Sequence, residues 1–312
     1  MGLVYHNGRF IPEEQIQKNE DSERVLRLLR SFLDANEPGL VRFLVNTWRS
    51  QGKAITYKEL REAILAGDIS PEWLEDWMQD YSRFVKEHLQ PAWEKAIEAG
   101  VTDLKQRYPV WNFDPMADSV RSWTANHAAE FVTNVTTTQI EGLRAVIHRA
   151  ANLEGMTVDE LARSIRPMIG LTKQQATANL KYYETLRANG VSPKRAQESS
   201  LYYSARQHRS RAYTVARTEL ATAYNAGAHE GTKQAQAAGL IGECVKEWST
   251  ADDERVCPVC GAMEGKQVAM DEDFGAARGN WSTRLHPPAH PGCRCGVKYI
   301  EVRPPQKLSH KA

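Results

Sequence analysis

Cys257-Pro-Val-Cys260 and, thirty residues further on, His290-Pro-Gly-Cys293-Arg-Cys295 set the C-terminal third of this chain apart from everything before it. A C-x2-C pair followed by H-x2-C-x-C has the ligand types and short spacings of a structural zinc site. Two cysteines on a tight turn present both sulfurs to one ion, and a distant second pair closes the tetrahedron. Four of the five cysteines lie in this segment; the fifth is Cys244. A pair of disulfides is the plainer reading of four cysteines. Met1 to Pro12, however, has no apolar run of the kind that marks a secretory leader. Clustered cysteines in a reducing compartment more often bind metal than cross-link. A catalytic cysteine would need one low-pKa thiol beside a base, not four thiols at ligand spacing.

Working outward, the 312 residues suffice for two or three domains, and 41% hydrophobic with 25% charged residues is ordinary for a globular protein. No stretch is long and apolar enough to span a membrane. The net charge of +1 hides an uneven distribution. Residues 11–100 carry 12 Lys/Arg against 17 Asp/Glu, a net of −5, and residues 161–240 carry 12 against 4, a net of +8. Residues 241–312 balance at 10 against 10. The basic middle segment is an electrostatic footprint for an anionic partner.

Most of the first 240 residues read as helix. Val25, Leu28, Leu29 and Phe32 form one stripe at the spacing of an amphipathic helix over Glu23 to Leu33. Leu40 to Trp48 and Tyr57 to Leu65 follow the same pattern. Ser70-Pro71 starts a further helix, with serine as N-cap and proline at the first helical position. Pro109 and Pro115 bracket a break. Beyond it, Phe131, Val135, Ile140, Leu143, Val146 and Ile147 form another stripe. Thr157 with Glu160 and Thr172 with Gln175 have capping-box spacing. Gly155, Gly170 and Gly190 mark helix ends, and Ser192-Pro193 opens an alanine-rich helix reaching about Gly239. After Gly239 the period changes: Cys244 to Trp248 and Gly296 to Val302 alternate as strands. The predicted class is α+β: a mainly helical N-terminal two-thirds followed by a small zinc-stapled α/β or β-rich C-terminal module. The chain divides into residues 1–115, a basic helical 116–240, a metal-binding module 241–302 and a polar tail 303–312.

Arg206, Arg209 and Arg217 fall within about 80° on a helical wheel, while His208 and Arg211 point elsewhere. They make either a face for DNA or an acidic protein, or a solvated face bridged to the acidic N-terminal block. With no groove-reading motif or aromatic interleaving evident beside them, the second reading is the plainer one. Arg217-Thr-Glu219 suits a structural ion pair better than catalysis. The acidic run from Asp252 to Glu254 reads as a solvated turn rather than a hard-metal site. His286 is a sixth candidate donor. No phosphate loop, nucleophile elbow or H-E-x-x-H helix occurs.

Arg217-Thr-Glu219, Asn225, Gly227, Trp248 to Asp252, Arg255, Cys257-x-x-Cys260, Gly265-Lys266, Pro287-Pro288, His290-Pro291 and Cys293-Arg-Cys295 occur in that order. This series resembles the phage Mu F-like head morphogenesis family, the minor head proteins of tailed phages and prophages, over about residues 200–300. The resemblance implies a non-enzymatic virion component inside the head, assembled in the bacterial host cytoplasm. Its implied partners are the portal protein at the portal vertex, other procapsid components and packaged double-stranded DNA, which it would help to handle or deliver. Residues 1–110 match no motif of the family.

The expected metal is structural zinc, held by Cys257, Cys260, His290 and Cys293, with Cys295 and His286 as alternates. Arg206, Arg209 and Arg217 are the candidate contacts to DNA or a partner. Glu219, Trp248, Asp252, Arg255 and Arg294 are structural motif residues. Trp248 and Tyr299 are expected to pack beside the metal. Arg255 and Arg294 should brace its loops through backbone carbonyls or the acids near Asp252. The alternative is a zinc-stabilised, metal-dependent nuclease with His286 or His290 near its centre; it would need a hard-metal site or general base beyond the zinc.

Overall fold

The computed structural model describes residues 3–6, 9–150, 156–251, 253, 256–275 and 285–303, with side chains from residue 20 onward. Gly155, Asp252 and Arg255 therefore lie outside the described residues, as does nearly all of the polar tail.

Strands β1 (Leu3–His6) and β2 (Arg9–Pro12) pair antiparallel ahead of helix α1 (Glu13–Ala54). Then come α2 (Tyr57–Ala66), α3 (Pro71–Phe84), a π-helical turn (Val85–Leu89), α4 (Gln90–Gly100) and α5 (Thr102–Arg107). They are followed by α6 (Asp118–Ala150), α7 (Val158–Ile165), α8 (Lys173–Ala188) and α9 (Pro193–Ala237). The C-terminal part holds β3 (Glu243–Ser249), the short helix α10 (Pro258–Gly261), β4 (Gln267–Ala269) and β5 (Gly296–Arg303). The strands form an antiparallel sheet in the order β4-β3-β5. The α+β class is as the sequence indicates.

Both expected capping boxes close, at Thr157/Glu160 and Thr172/Gln175, and a third forms at Thr56/Glu59. The spans Glu23 to Leu33 and Leu40 to Trp48 belong to one helix rather than two, with Pro38 inside it. Proline removes one backbone donor there, but buried Leu26, Leu29 and Leu33 before it and Leu40, Leu44 and Trp48 after it keep the helical spacing going.

The chain forms two compact units, each discontinuous in sequence. One comprises Met1–Glu37, Ala92–Ser122 and Val215–Ala312; the other comprises Pro38–Pro91 and Trp123–Thr214. Their boundaries fall inside α1, α4, α6 and α9, where hydrophobic periodicity carries no punctuation.

In the first unit α4 and α9 cross backbone against backbone. A Cβ on Gly227 would lie 2.2 Å from the Ile97 carbonyl oxygen, and one on Gly100 would lie 2.1 Å from that of Tyr224. Ala221, Ala223 and Ala226 are buried on the same stretch. Small residues here are a packing requirement. The sheet adjoins α1: a Cβ on Gly296 would meet Val25 and Leu26 at 3.3 and 3.5 Å.

The second unit is a helical body with polar groups in its core. Trp48 Nε1 donates to Tyr81 Oη at 2.9 Å, Tyr81 donates to Gln139 Oε1, and Gln139 Nε2 donates to Gln51 Oε1 at 3.1 Å. Asn179 Nδ2 donates to Gln207 Oε1 at 2.9 Å. His208 Nε2 lies 2.8 Å from the Ile169 carbonyl oxygen, and Arg211 donates to the next carbonyl, that of Gly170. Arg211 also lies over the Trp48 ring, at 4.9 Å from the centroid. Among the described residues no helix is long and apolar enough to cross a membrane.

Candidate metal centre

The C-x2-C turn is built by α10. Cys257 is its N-cap residue, Pro258 its first residue, and Cys257 Sγ accepts from the Cys260 amide at 3.4 Å. This turn returns to the sheet: the Gly265 amide donates to the Trp248 carbonyl and the Trp248 amide to that of Lys266, each at 3.0 Å. Across the site, the Cys293 amide donates to the His290 carbonyl at 3.1 Å, closing the H-P-G-C turn. Thr218 of α9 holds that turn from outside, its Oγ1 accepting from the Gly292 amide at 2.9 Å. Thr218 of the Arg-Thr-Glu segment thus serves the cysteine module.

Five donors converge. Cys257, Cys260 and His290 form one group with ligand atoms within 4.8 Å of one another, and Cys260, Cys293 and Cys295 form a second. Cys260 belongs to both. His290 Nε2 lies 3.1 Å from Cys257 Sγ and 3.3 Å from Cys260 Sγ, and Cys260 Sγ lies 3.7 Å from Cys293 Sγ. Sulfurs about 2.3 Å from a tetrahedral zinc stand roughly 3.8 Å apart, and a sulfur and an imidazole nitrogen roughly 3.5 Å apart. The spacing therefore suits a tetrahedral ion and far exceeds a disulfide bond; all five cysteines are free thiols. His290 Nδ1 lies 3.1 Å from the Pro291 carbonyl oxygen. With the proton on Nδ1 that contact fixes the ring and leaves the Nε2 lone pair facing the sulfurs.

Three of the four sulfurs are buried in apolar surroundings, while Cys257 and His290 are half-buried. Cys260, Cys293 and Cys295 are 2%, 2% and 4% exposed and pack with Trp248, Met263, Phe274 and Val297, with Tyr299 against the cluster. Trp248 and Phe274 meet edge to face at 5.1 Å. Hydrogen bonding from Cys260 and Cys295 holds Cys293 far below the ordinary thiol range, while the interaction with Cys293 pushes Cys260 up. Burial alone would raise Cys257, but the Cys260 amide and His290 outweigh it and lower its pKa. Cys257 and Cys293 thus favour thiolate, the form that binds metal, whereas Cys260 and Cys295 are pushed up and must release their protons for the cluster to coordinate an ion. It can hold a metal ion.

Arg294 makes a bidentate pair with Asp253 at 2.6 and 2.7 Å, next to the expected acid at 252. His286 stands apart from the donor groups: its Nδ1 lies 2.9 Å from the Pro287 carbonyl oxygen, and its ring is 6.3 Å from that of His229. The three arginines separate. Arg217 pairs with Glu37 and, at 3.3 Å, with Asp34, whereas Arg206 and Arg209 are exposed. Glu219 is half-buried.

A buried lysine escaped the sequence reading. Lys246 of β3 is fully buried and donates to the carbonyls of Glu272 and Leu285 at 2.7 and 2.8 Å. Burial lowers its pKa to about 8. In strand alternation it sits between Cys244 and Trp248 on their face, a position where an isolated sequence gives a charged residue no reason to be inside.

The fold and site define a helical protein with a small antiparallel module built around a cysteine–histidine cluster. The model of the phage Mu protein F-like family matches residues 141–298, and the chain belongs to this family. No curated protein and no solved structure matches it. Membership points to phage head morphogenesis, to other phage head proteins as partners and to the virion as location.

Proposed function

We propose that this chain is a minor head protein of a tailed phage or prophage, associated with the portal vertex. In this reading it acts in head morphogenesis and in handling or delivering packaged DNA, and it carries one structural zinc. Cys257, Cys260 and His290 supply three ligands and Cys293 the fourth, with Cys295 as its substitute. Zinc supplies a cross-link between the C-x2-C turn and the H-P-G-C turn. The supporting observation is the burial of the Cys260, Cys293 and Cys295 sulfurs among Trp248, Met263 and Phe274. Catalytic zinc keeps a position open to water, and structural zinc does not. Thr218, Trp248 and Arg294 hold the loops of the module, so the family motif reads as a frame for the metal.

The test has two parts. Elemental analysis of protein purified without chelators should give about one zinc per chain. Cys293→Ser should lose that zinc and Cys295→Ser keep it; the reverse result exchanges their roles. Metal-free protein with Cys257–Cys293 disulfides overturns the zinc reading. Mass spectrometry of cross-linked virions should find the chain joined to portal protein, and its absence from particles overturns the head reading. Cleavage of plasmid DNA with Mg²⁺ or Mn²⁺, abolished by His290→Ala, would establish the nuclease instead.

A further inference from the structure

The arginines of α9 divide by what surrounds them. Arg217 is engaged by two carboxylates. Among the described residues, Arg206 and Arg209 meet no carboxylate, and both are exposed. Positions 202, 206, 209 and 213 follow the i, i+4, i+7, i+11 spacing and share one helical stripe. The flanking residues are Tyr202 and Tyr213, 77% and 46% exposed. The aromatic interleaving not evident from the arginine spacing is therefore present in the fold. The stripe runs about 17 Å at 1.5 Å per residue and lies wholly within the unit formed by Pro38–Pro91 and Trp123–Thr214. Beside it, Tyr182 and Tyr203 meet edge to face at 5.3 Å, and Tyr182 is 39% exposed.

We propose that Tyr202, Arg206, Arg209 and Tyr213 form a track for an unpaired nucleic-acid strand, such as a frayed end of packaged DNA. This rests on the DNA-handling part of the proposed function and adds the state of the DNA. Charge complementarity selects a polyanion: two exposed guanidiniums, unpaired among the described residues, lie in a segment of net charge +8. The tyrosines select among polyanions. A duplex offers phosphates and groove edges, which arginine reads without rings. An unstacked base offers a flat apolar face, and exposed rings flanking the cations are the arrangement that receives it. An acidic protein would satisfy the arginines without calling on either ring.

The test measures anisotropy of a labelled oligothymidine and of a duplex of equal length, with full-length protein over a salt series. The single strand should bind more tightly. Tyr202→Ala with Tyr213→Ala should weaken it by on the order of 5- to 150-fold per ring, from about 1–3 kcal/mol of stacking each. The double Tyr→Phe variant should retain affinity. Arg206→Gln with Arg209→Gln should lower the slope of log K against log salt by about 1.4 for the single strand. These exposed substitutions should leave the circular dichroism unchanged. Equal binding of duplex and single strand with no effect of losing the rings overturns the proposal. So does competition by polyglutamate that exceeds competition by either nucleic acid. Tyr202→Ala/Tyr213→Ala protein that enters particles normally but has lost oligothymidine affinity supports the track separately from head assembly. Wild-type protein missing from particles sinks the head reading and leaves this one standing.

Discussion

The cysteine module and the helical unit of Pro38–Pro91 with Trp123–Thr214 meet the same difficulty by different means. Each brings together segments far apart in sequence. The module gathers five soft donors around Cys260 and surrounds them with a few apolar side chains. The helical unit uses ordinary apolar rows, supplemented by buried amides, a histidine and an arginine that find partners inside. On the zinc reading proposed above, a module with little core depends on coordination, an all-or-none support. The helical unit spreads its support over many contacts, of which each hydrogen bond is worth about 0.5–1.5 kcal/mol net.

The sharpest way to break this contrast is Cys260→Ser, which removes the donor common to both groups. Residues 241–303 should lose protease resistance while residues 38–91 and 123–214 keep it, as read by limited proteolysis and hydrogen exchange. Structural zinc contributes on the order of 10 kcal/mol in small modules. Uniform resistance in the mutant would erase the distinction.

Acid should act on the helical unit through His208. Burial lowers its pKa from 6.5 to about 4. Between these values the unfolded chain binds a proton that the fold refuses, so stability falls as pH drops from about 6.5 towards 4. The loss should approach roughly 3 kcal/mol, at about 1.4 kcal/mol per pH unit. His208→Gln should flatten this part of a Tm-against-pH curve measured on the helical unit's exchange-protected amides. An unchanged curve would remove His208 from the account.

Arg211→Met tests how far the support of that unit is distributed. The change keeps apolar bulk near Trp48 but leaves the Gly170 carbonyl without its donor, so denaturant unfolding should show a loss of about 1–3 kcal/mol. A collapse of the unit would mean that one residue dominates it after all. Thr218→Val should have the smallest effect. Losing the bond to the Gly292 amide should cost about 1 kcal/mol and loosen zinc retention in a chelator competition without abolishing it. Wild-type retention would show that the H-P-G-C turn needs no help from α9.

Much of the fold was legible because its signals are short-range. The Ser70-Pro71 start and two capping boxes were read within four residues, and β3 and β5 from period-two alternation. The Thr56/Glu59 box carries the same signal and was overlooked. The unity of α1 was less legible, because Pro38 looks like an end until the flanking rows are seen buried.

By itself, then, the sequence determined most of the elements, the order of the family motif and the six candidate donors, since ligand type and spacing are properties of neighbouring residues. Tertiary structure decided what depends on distant partners. It set Arg217 against Glu37, 180 residues away, and left Arg206 and Arg209 in solvent between exposed tyrosines. It drew His286 off to His229 and placed both Cys293 and Cys295 beside Cys260. A helical wheel gives direction but not what lies in that direction. Burial and pairing follow from elements that meet only when the chain folds.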